Sequence, residues 1–306
     1  MGIRFERKVV LAKIETTYGT DPTPTGAANA VLLRGVDIDI AQGERLPRDV
    51  LRTGLGQLGT LLFGRRVTLT ATVDLAGSGA AGTAPAWGPL MRACALAETV
   101  TAGTRVDYTP VDQGFESVAI YFNLEGSRTI LLGCRGSAKL MLPKGKLPQI
   151  QFSLTGLWVS DTSVAYPSQT LTAWKDPLPV SKANTPTFTI DGQAVQGSNV
   201  ELDGGLQVGY RELINLREIV VEDRLPTFSA TIEELPLATK NFFALMSGAN
   251  VALALTHGTV AGNIIQLASS TLQVQDVKRA EDQKMAMLNI TAMLKVGSPD
   301  FTISAL

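Results

Sequence analysis

One histidine and two cysteines are all that 306 residues offer to the chemistries that depend on those side chains. A single histidine permits few triads or zinc sites, and His257 lies in the turn-like THGTVAGN, which reads as a loop without a chemical role. Cys94 and Cys134 have no spacing that suggests a metal site or a disulfide framework, so two ordinary buried thiols are expected. Neither sign of charge is in excess: 27 Lys and Arg stand against 28 Asp and Glu. That balance gives no electrostatic footprint for stable binding to nucleic acid or to a membrane. Aromatic residues make up only 6% of the chain. No apolar run approaches membrane-spanning length. The opening MGIRFERKVVLAKIE lacks the apolar core of a signal peptide, and Glu6 stands where myristoylation after Met-Gly would want Ser or Thr. The expectation is a protein made in a reducing cytoplasm with no membrane anchor.

What the chain does have is strong alternation. In VTLTATVD, Val67, Leu69, Ala71 and Val73 alternate with Thr68, Thr70, Thr72 and Asp74, the pattern of a strand with one buried face. A small-residue loop follows, and then Trp87, Leu90, Met91 and Cys94 are spaced as one face of a short helix, with Pro85 and Pro89 near its start. Further strands are predicted over Val36–Ile40, Arg105–Pro110, Val118–Leu124, Thr129–Cys134, Ser137–Leu142 and Gln149–Val159.

The strand–loop–helix carries Gly77, Gly79 and Gly82 in a GxGxxG pattern, but it fails the requirements of a dinucleotide site. The strand alternates instead of being apolar throughout, and the helix begins too late for its amides to cradle a phosphate. Gly54, Gly56 and Gly59 repeat the pattern with no strand before them. The pairs Asp37/Asp39 and Glu233/Glu234 read as solvated surface, and Lys278, Arg279, Glu281, Asp282 and Lys284 as a mixed-charge hairpin tip. No catalytic constellation stands out. The chain is expected not to be an enzyme, with no cofactor and no metal.

The second half repeats the first. TFSATIEE (Thr227–Glu234) matches TLTATVDL (Thr68–Leu75) in polarity at every position but the last. NFFALMSGA sets Phe242, Leu245 and Met246 where Trp87, Leu90 and Met91 stand, and all six are candidate core residues. MLNITAM (Met287–Met293) echoes QFSLTGL (Gln151–Leu157). Two long loops also correspond. Gly43–Arg66 has no sustained period and carries Arg45, Arg48, Arg52, Arg65 and Arg66 against Glu44 and Asp49. Gly204–Pro226 is more acidic, with Glu212, Glu218, Glu222 and Asp223 against Arg211, Arg217 and Arg224. Unstructured loops of such length are uncommon in compact domains and are often functional. The expected organisation is an N-terminal arm (1–30), a first β-rich domain (31–159), a Pro/Ser/Thr-rich linker (160–187) in which Trp174 serves as an anchor, and a second domain (188–306). The fold class is mainly β with short helices, arising by internal duplication.

The segments ETTYGTDPTPTGAANAVLL (Glu15–Leu33), AGSGAAGTAPAWGPLMRACALAETVTAGT (Ala76–Thr104), YTPV (Tyr108–Val111), FESVAIYFNLEG (Phe115–Gly126), PLPVSKANT (Pro177–Thr185), LATKNFF (Leu237–Phe243) and HGTVAGNIIQL (His257–Leu267) resemble the tail tube proteins, or major tail subunits, of long-tailed bacteriophages. The resemblance names no active-site residue. It implies that the two tandem domains are tube domains, each a β-sandwich or partial barrel flanked by one helix, of the kind shared with type VI secretion tubes. It also implies self-assembly into stacked rings in the virion tail, around a channel for genome ejection into the host. Tape-measure, tail-terminator and distal tail or baseplate proteins are implied as partners, and double-stranded DNA would pass without stable binding. Two domains per chain predict three chains per ring. Within that frame the two long loops become candidates for ring stacking, through the charged residues already named. The N-terminal arm and the tail Gly297–Leu306 become candidates for clasping neighbours. A channel for DNA should avoid a basic lining, and Asp37, Asp39, Asp74 and the threonine faces suit it. Alternatives are a tandem β-sandwich adhesin that binds carbohydrate, or a type VI secretion-like tube protein.

Overall fold

A computed structural model describes residues 6–306 apart from 49, 52, 55 and 298, with the side chain of Ala41 also outside the description. The first half contributes β1 (Lys8–Ile14), β2 (Ala30–Val31), β3 (Gly35–Pro47), β4 (Thr60–Asp74), β5 (Leu96–Thr101), β6 (Arg105–Pro110), β7 (Val118–Leu124), β8 (Ser127–Pro143) and β9 (Gln149–Ser163). Its short helices are α1 (Gly26–Asn29) and α2 (Gly88–Arg92). The second half contributes β10 (Thr187–Ile190), β11 (Gln193–Ala194), β12 (Gly197–Asp203), β13 (Leu206–Leu213), β14 (Leu216–Arg224) and β15 (Thr227–Glu233). A 3₁₀ helix (Phe242–Ser247) then precedes β16 (Val251–His257), β17 (Ile265–Asp282), β18 (Met285–Leu294) and β19 (Thr302–Ala305).

The pairings expose the repeat. All are antiparallel, and in the first half they run β2–β1–β7–β8–β9–β4–β3. In the second they run β11–β10–β16–β17–β18–β15–β12, the same order strand for strand. Even an irregularity is repeated. Between β7 and β8 the register steps from Val118↔Cys134 to Ile120↔Leu131, and between β16 and β17 from Val251↔Leu272 to Leu253↔Ser269. Each step sets an extra residue into the longer strand, which bends there, so one strand serves two layers. Gly133 occupies the first bend at φ +61°, and a Cβ there would meet the Tyr18 ring at 2.6 Å.

One continuous apolar core runs through both halves. On β4, Val67, Leu69, Ala71 and Val73 are all at most 2% exposed, as the alternation requires. Trp87 is 1% exposed, its indole donates to the Ala76 carbonyl at 2.8 Å, and its ring lies 4.9 Å from that of Tyr108. Leu90, Met91 and Phe242 are buried with it, and Leu245 packs against the same cluster. Met246, read from the sequence as core, is 43% exposed. A 3₁₀ turn has three residues rather than 3.6, so Phe242 and Leu245 share a face and Met246 rotates outward. The helix expected after the small-residue loop is likewise only Gly88–Arg92, and the chain then turns directly into β5. Cys94 and Cys134 are buried free thiols, and burial pushes both well above the ordinary thiol range.

Several segments read as peripheral are integral. Lys8–Ile14, in the N-terminal arm, pairs along its whole length with β7. The tail inserts β19 between β17 and β6, tying the two halves. Both candidate clasps are therefore engaged within their own chain. The strands expected at Thr129–Cys134 and Ser137–Leu142 are one continuous β8. In the expected linker, Trp174 packs against the core and donates to the Ala30 carbonyl at 3.0 Å.

His257 is no loop residue. It ends β16, is 2% exposed, and holds the connecting segment from both ring nitrogens: Nε2 lies 3.1 Å from the Leu178 carbonyl and Nδ1 2.9 Å from the Thr185 hydroxyl. A carbonyl can only accept, so Nε2 carries the proton and Nδ1 accepts from Thr185. Burial holds the imidazole below its ordinary pKa, opposed by the bond to Leu178. The unfolded chain therefore takes up a proton, as pH falls below about 6.5, before the folded one does. The histidine thus removes stability on acidification, with a slope of up to about 1.4 kcal/mol per pH unit. Denaturant titrations at pH 7.5 and 5.5 should show a smaller pH-dependent loss for His257→Gln than for the parent; an equal loss would contradict this assignment.

Candidate assembly surface

The two repeats are joined by strand pairing. The second part of β8, beyond its bend, pairs with β12 as Asn199↔Pro143, Val200↔Leu142, Glu201↔Met141, Leu202↔Leu140 and Asp203↔Lys139. This seam fuses the two ladders into one eight-stranded antiparallel sheet, β3–β4–β9–β8–β12–β15–β18–β17. The salt bridge from Lys139 to Glu201 crosses the seam at 2.7 Å. It holds the Glu201 carboxyl below and the Lys139 ammonium above their ordinary ranges. Among the described residues, β3 at one end pairs only with β4, and residues 276–282 of β17 at the other pair only with β18. The sheet thus ends in two open edges.

One face of this sheet packs on the core and the other is polar. Cross-strand partners share a face, so Asp37↔Thr70, Asp39↔Thr68, Thr70↔Ser153 and Thr72↔Gln151 mark the polar side of the first repeat. Glu201↔Ser229, Asp203↔Thr227, Ser229↔Thr291 and Thr231↔Asn289 mark that of the second. The ladders equate residues across the repeat, because Val36 faces Ala71 as Val200 faces Ala230. By this register Asp37, Asp39 and Asp74 recur as Glu201, Asp203 and Glu233, and Lys139 recurs as Lys278. GVDID (Gly35–Asp39) and NVELD (Asn199–Asp203) are therefore a fourth repeated segment, missed in the sequence because it is short and conservative in chemistry but not in letters.

The two long loops are ribbons. β3 and β4 pair out to Pro47↔Thr60, so only 48–59 lies between strands, and Leu206–Arg224 forms the β13–β14 hairpin. The first ribbon carries exposed Leu46, Leu61, Leu62 and Phe63 together with Arg45 and Arg48. Arg65 is drawn back onto its own sheet, 3.6 Å over the Trp158 ring and 3.7 Å from Asp161. Arg66 lies 5.7 Å over the Tyr210 ring, and Arg52 falls outside the described residues. On the second ribbon, Glu218 pairs with Arg211 at 3.0 Å, Glu212 accepts from Tyr210, and Glu222 and Asp223 are exposed. Burial and then Glu212 push the Tyr210 phenol up to about 12.

The second ribbon is docked onto the first repeat. Ile219 is fully buried, its amide donates to the Tyr18 hydroxyl at 2.5 Å, and its carbonyl accepts from Arg135 at 2.8 Å. At the ribbon's base, Arg224 bonds the Val111 carbonyl at 3.0 Å, Asp112 at 3.0 Å and the nearly buried Asp300 at 2.8 Å.

The Gly/Ala loop between β4 and α2 also joins the halves. The Gly77 amide donates to Asn263 Oδ1 and the Gly79 amide to the Gly262 carbonyl, both at 2.8 Å. A Cβ on Gly262 would stand 2.4 Å from the Gly79 backbone, so the glycines permit a backbone-to-backbone contact and no phosphate cradle. No group of His, Cys, Asp and Glu that could hold a metal ion occurs among the described residues, and no helix is long and apolar enough to cross a membrane. The paired carboxylates Glu233 and Glu234 do not form a site: Glu234 is bonded by Arg279 at 2.8 Å.

A comparison with curated proteins found no match. The model of the phage tail tube protein family matches residues 6–293, from before β1 to within β18. On that match, which spans both repeats and the seam between them, the chain belongs to the phage tail tube protein family and has a structural role in the tail tube.

Proposed function

We propose that this chain polymerises head to tail into rings of three, each presenting six quasi-equivalent tube domains, and that the rings stack into the channel through which the genome leaves the virion. The observation that carries this reading is the repeated pairing order, with a seam already joining one repeat to the next. A sheet built of two like units with an open edge at each end extends by adding a further copy, and a heterologous contact of this kind closes into a ring when the rotation permits. The division into two domains joined by a connecting segment follows the same repeat. The polar face of the eight-stranded sheet is the proposed channel lining. Its carboxylates recur in both repeats, so the ring would display them at six stations, and DNA would meet repulsion where a basic lining would hold it. Tape-measure, terminator and distal tail proteins would then act at the channel and at the tube ends.

The ribbons are the proposed contacts between rings and neighbours. Exposed apolar side chains beside Arg45 and Arg48 on the first ribbon suit a partner surface, and Glu222 and Asp223 supply acidic counterparts on the second. Glu44 and Phe63 already face each other, so an Asn-Gly turn can replace Arg45–Leu62 without disturbing the sheet beneath. The shortened chain should retain its folded circular dichroism spectrum and melting temperature while electron microscopy shows no stacked tubes. Normal tubes from this variant would overturn the stacking role.

A further inference from the structure

We infer that β3 of one chain pairs antiparallel with the open edge of β17 on a second copy, in the register used by the internal β12–β8 seam. This rests on the reading of the chain as a ring-forming subunit. β12 is the counterpart of β3, and β8 of β17. Lys278 faces Asn289 as Lys139 faces Gln151, which fixes the equivalence on the second pair. Transferring the seam gives Val36↔Glu281, Asp37↔Ala280, Ile38↔Arg279 and Asp39↔Lys278 between chains. Unpaired strand edges are normally blunted or covered because they invite association. These two lie at opposite ends of one sheet, so each subunit offers one of each.

The charges agree with the register. Lys139 bridges to Glu201 across the internal seam, and the same positions between chains bring Lys278 to Asp37. In the single chain the Lys278 side chain is 74% exposed and contacts Asp276 at 2.5 Å. Asp276 stands where the first repeat has Ser137, since each faces the equivalent residue of the next strand, Thr291 or Ser153. Lys278 therefore sits among Asp276, Asp37 and Asp39, the last of which also accepts from Gln42 at 3.0 Å. On the opposite face, Ile38 meets the stem of Arg279, whose head is held by Glu234 and lies 5.1 Å over the Phe243 ring. In the internal seam that place is filled by Leu202 against Leu140. At the end of the edge Asp282 is bonded by Lys144 of its own chain at 2.6 Å. The joint between chains is thus more polar than the joint within one, and it should open with added salt before the chain unfolds.

Directly paired residues on adjacent antiparallel strands bring Cα atoms within about 4.5–5.5 Å, inside the range a disulfide spans. Asp37→Cys with Ala280→Cys, and separately Val36→Cys with Glu281→Cys, test the register on both faces; Asp39→Cys with Ala280→Cys is two residues out of step. After oxidation of assembled protein, the two in-register pairs should convert the monomer band on a non-reducing gel into covalent rings, and the displaced pair should leave it. Cross-linking of the displaced pair alone, or of none while microscopy shows rings, would overturn the seam and leave the tube reading standing. Failure of the parent chain itself to form rings or tubes would overturn the reading on which the seam rests.

Discussion

Trp87→Ala is expected to lower the stability of the whole chain by about 3–5 kcal/mol, the range for emptying a large aromatic site in a packed core. The indole is 1% exposed, lies beside Tyr108, and gives its N–H to the Ala76 carbonyl, so truncation leaves both a cavity and an unpaired acceptor. Against a typical margin of about 5–15 kcal/mol for a folded domain, this is a large fraction. The loss should be felt in both halves, because one apolar cluster runs from β1 to β19. Denaturant unfolding followed by tryptophan emission, from Trp158 and Trp174, and by far-ultraviolet circular dichroism should give coincident transitions shifted together. Two separated transitions, with only the first shifted, would mean that the halves are stabilised independently. Trp87→Phe, which keeps most of the apolar volume, should lose appreciably less.

Arg224→Met should be comparably damaging, by about 3–5 kcal/mol, for an electrostatic reason. The Asp300 side chain is 5% exposed and that of Arg224 14%, and the guanidinium also satisfies the Val111 carbonyl. Removing the cation strands a buried carboxylate, and that desolvation dominates what is lost. The double variant Arg224→Met/Asp300→Leu removes both charges and should recover much of the stability. A double-mutant cycle by urea unfolding measures the coupling directly; strictly additive losses would refute the pairing argument. The location matters as much as the magnitude, since Arg224 joins the base of the second ribbon to the end of β6 and to the segment before β19.

Much of this architecture was legible in the residues. Alternation located β4 and β6, because each has one drier and one wetter face, whereas β7, predicted at the same bounds, is buried on both faces from Val118 to Asn123. The repeat was visible in the match of Thr227–Glu234 to Thr68–Leu75, but the echo of Gln151–Leu157 in Met287–Met293 lies two residues out of step, since Ala71 faces Phe152 as Ala230 faces Ile290. The ribbons were not legible: Arg45 opposite Leu62 and Glu44 opposite Phe63 are paired strands with both faces toward solvent, and such strands carry no period of two. The partners of β1 and β19 lie far away in sequence, so their pairing leaves no local trace. Met246 was misplaced because α-helical and 3₁₀ spacing diverge within one turn. His257 resembled a loop residue because the glycine after it marks a turn, while its burial depends on Leu178 and Thr185 from the connecting segment. Of the basic candidates on the first ribbon, Arg65 turned inward because Trp158 and Asp161 on β9 offer it a stacking face and a carboxylate.

The central claim is that one chain supplies two stations of a six-station ring. Cryo-electron microscopy of tubes assembled from the purified protein tests it most directly, by counting chains per ring in the averaged map. The account predicts three chains in each ring, with six similar lobes around the channel and the carboxylate-bearing face of the sheet turned inward. Rings of six chains, or a channel lined by the opposite face of the sheet, would contradict it.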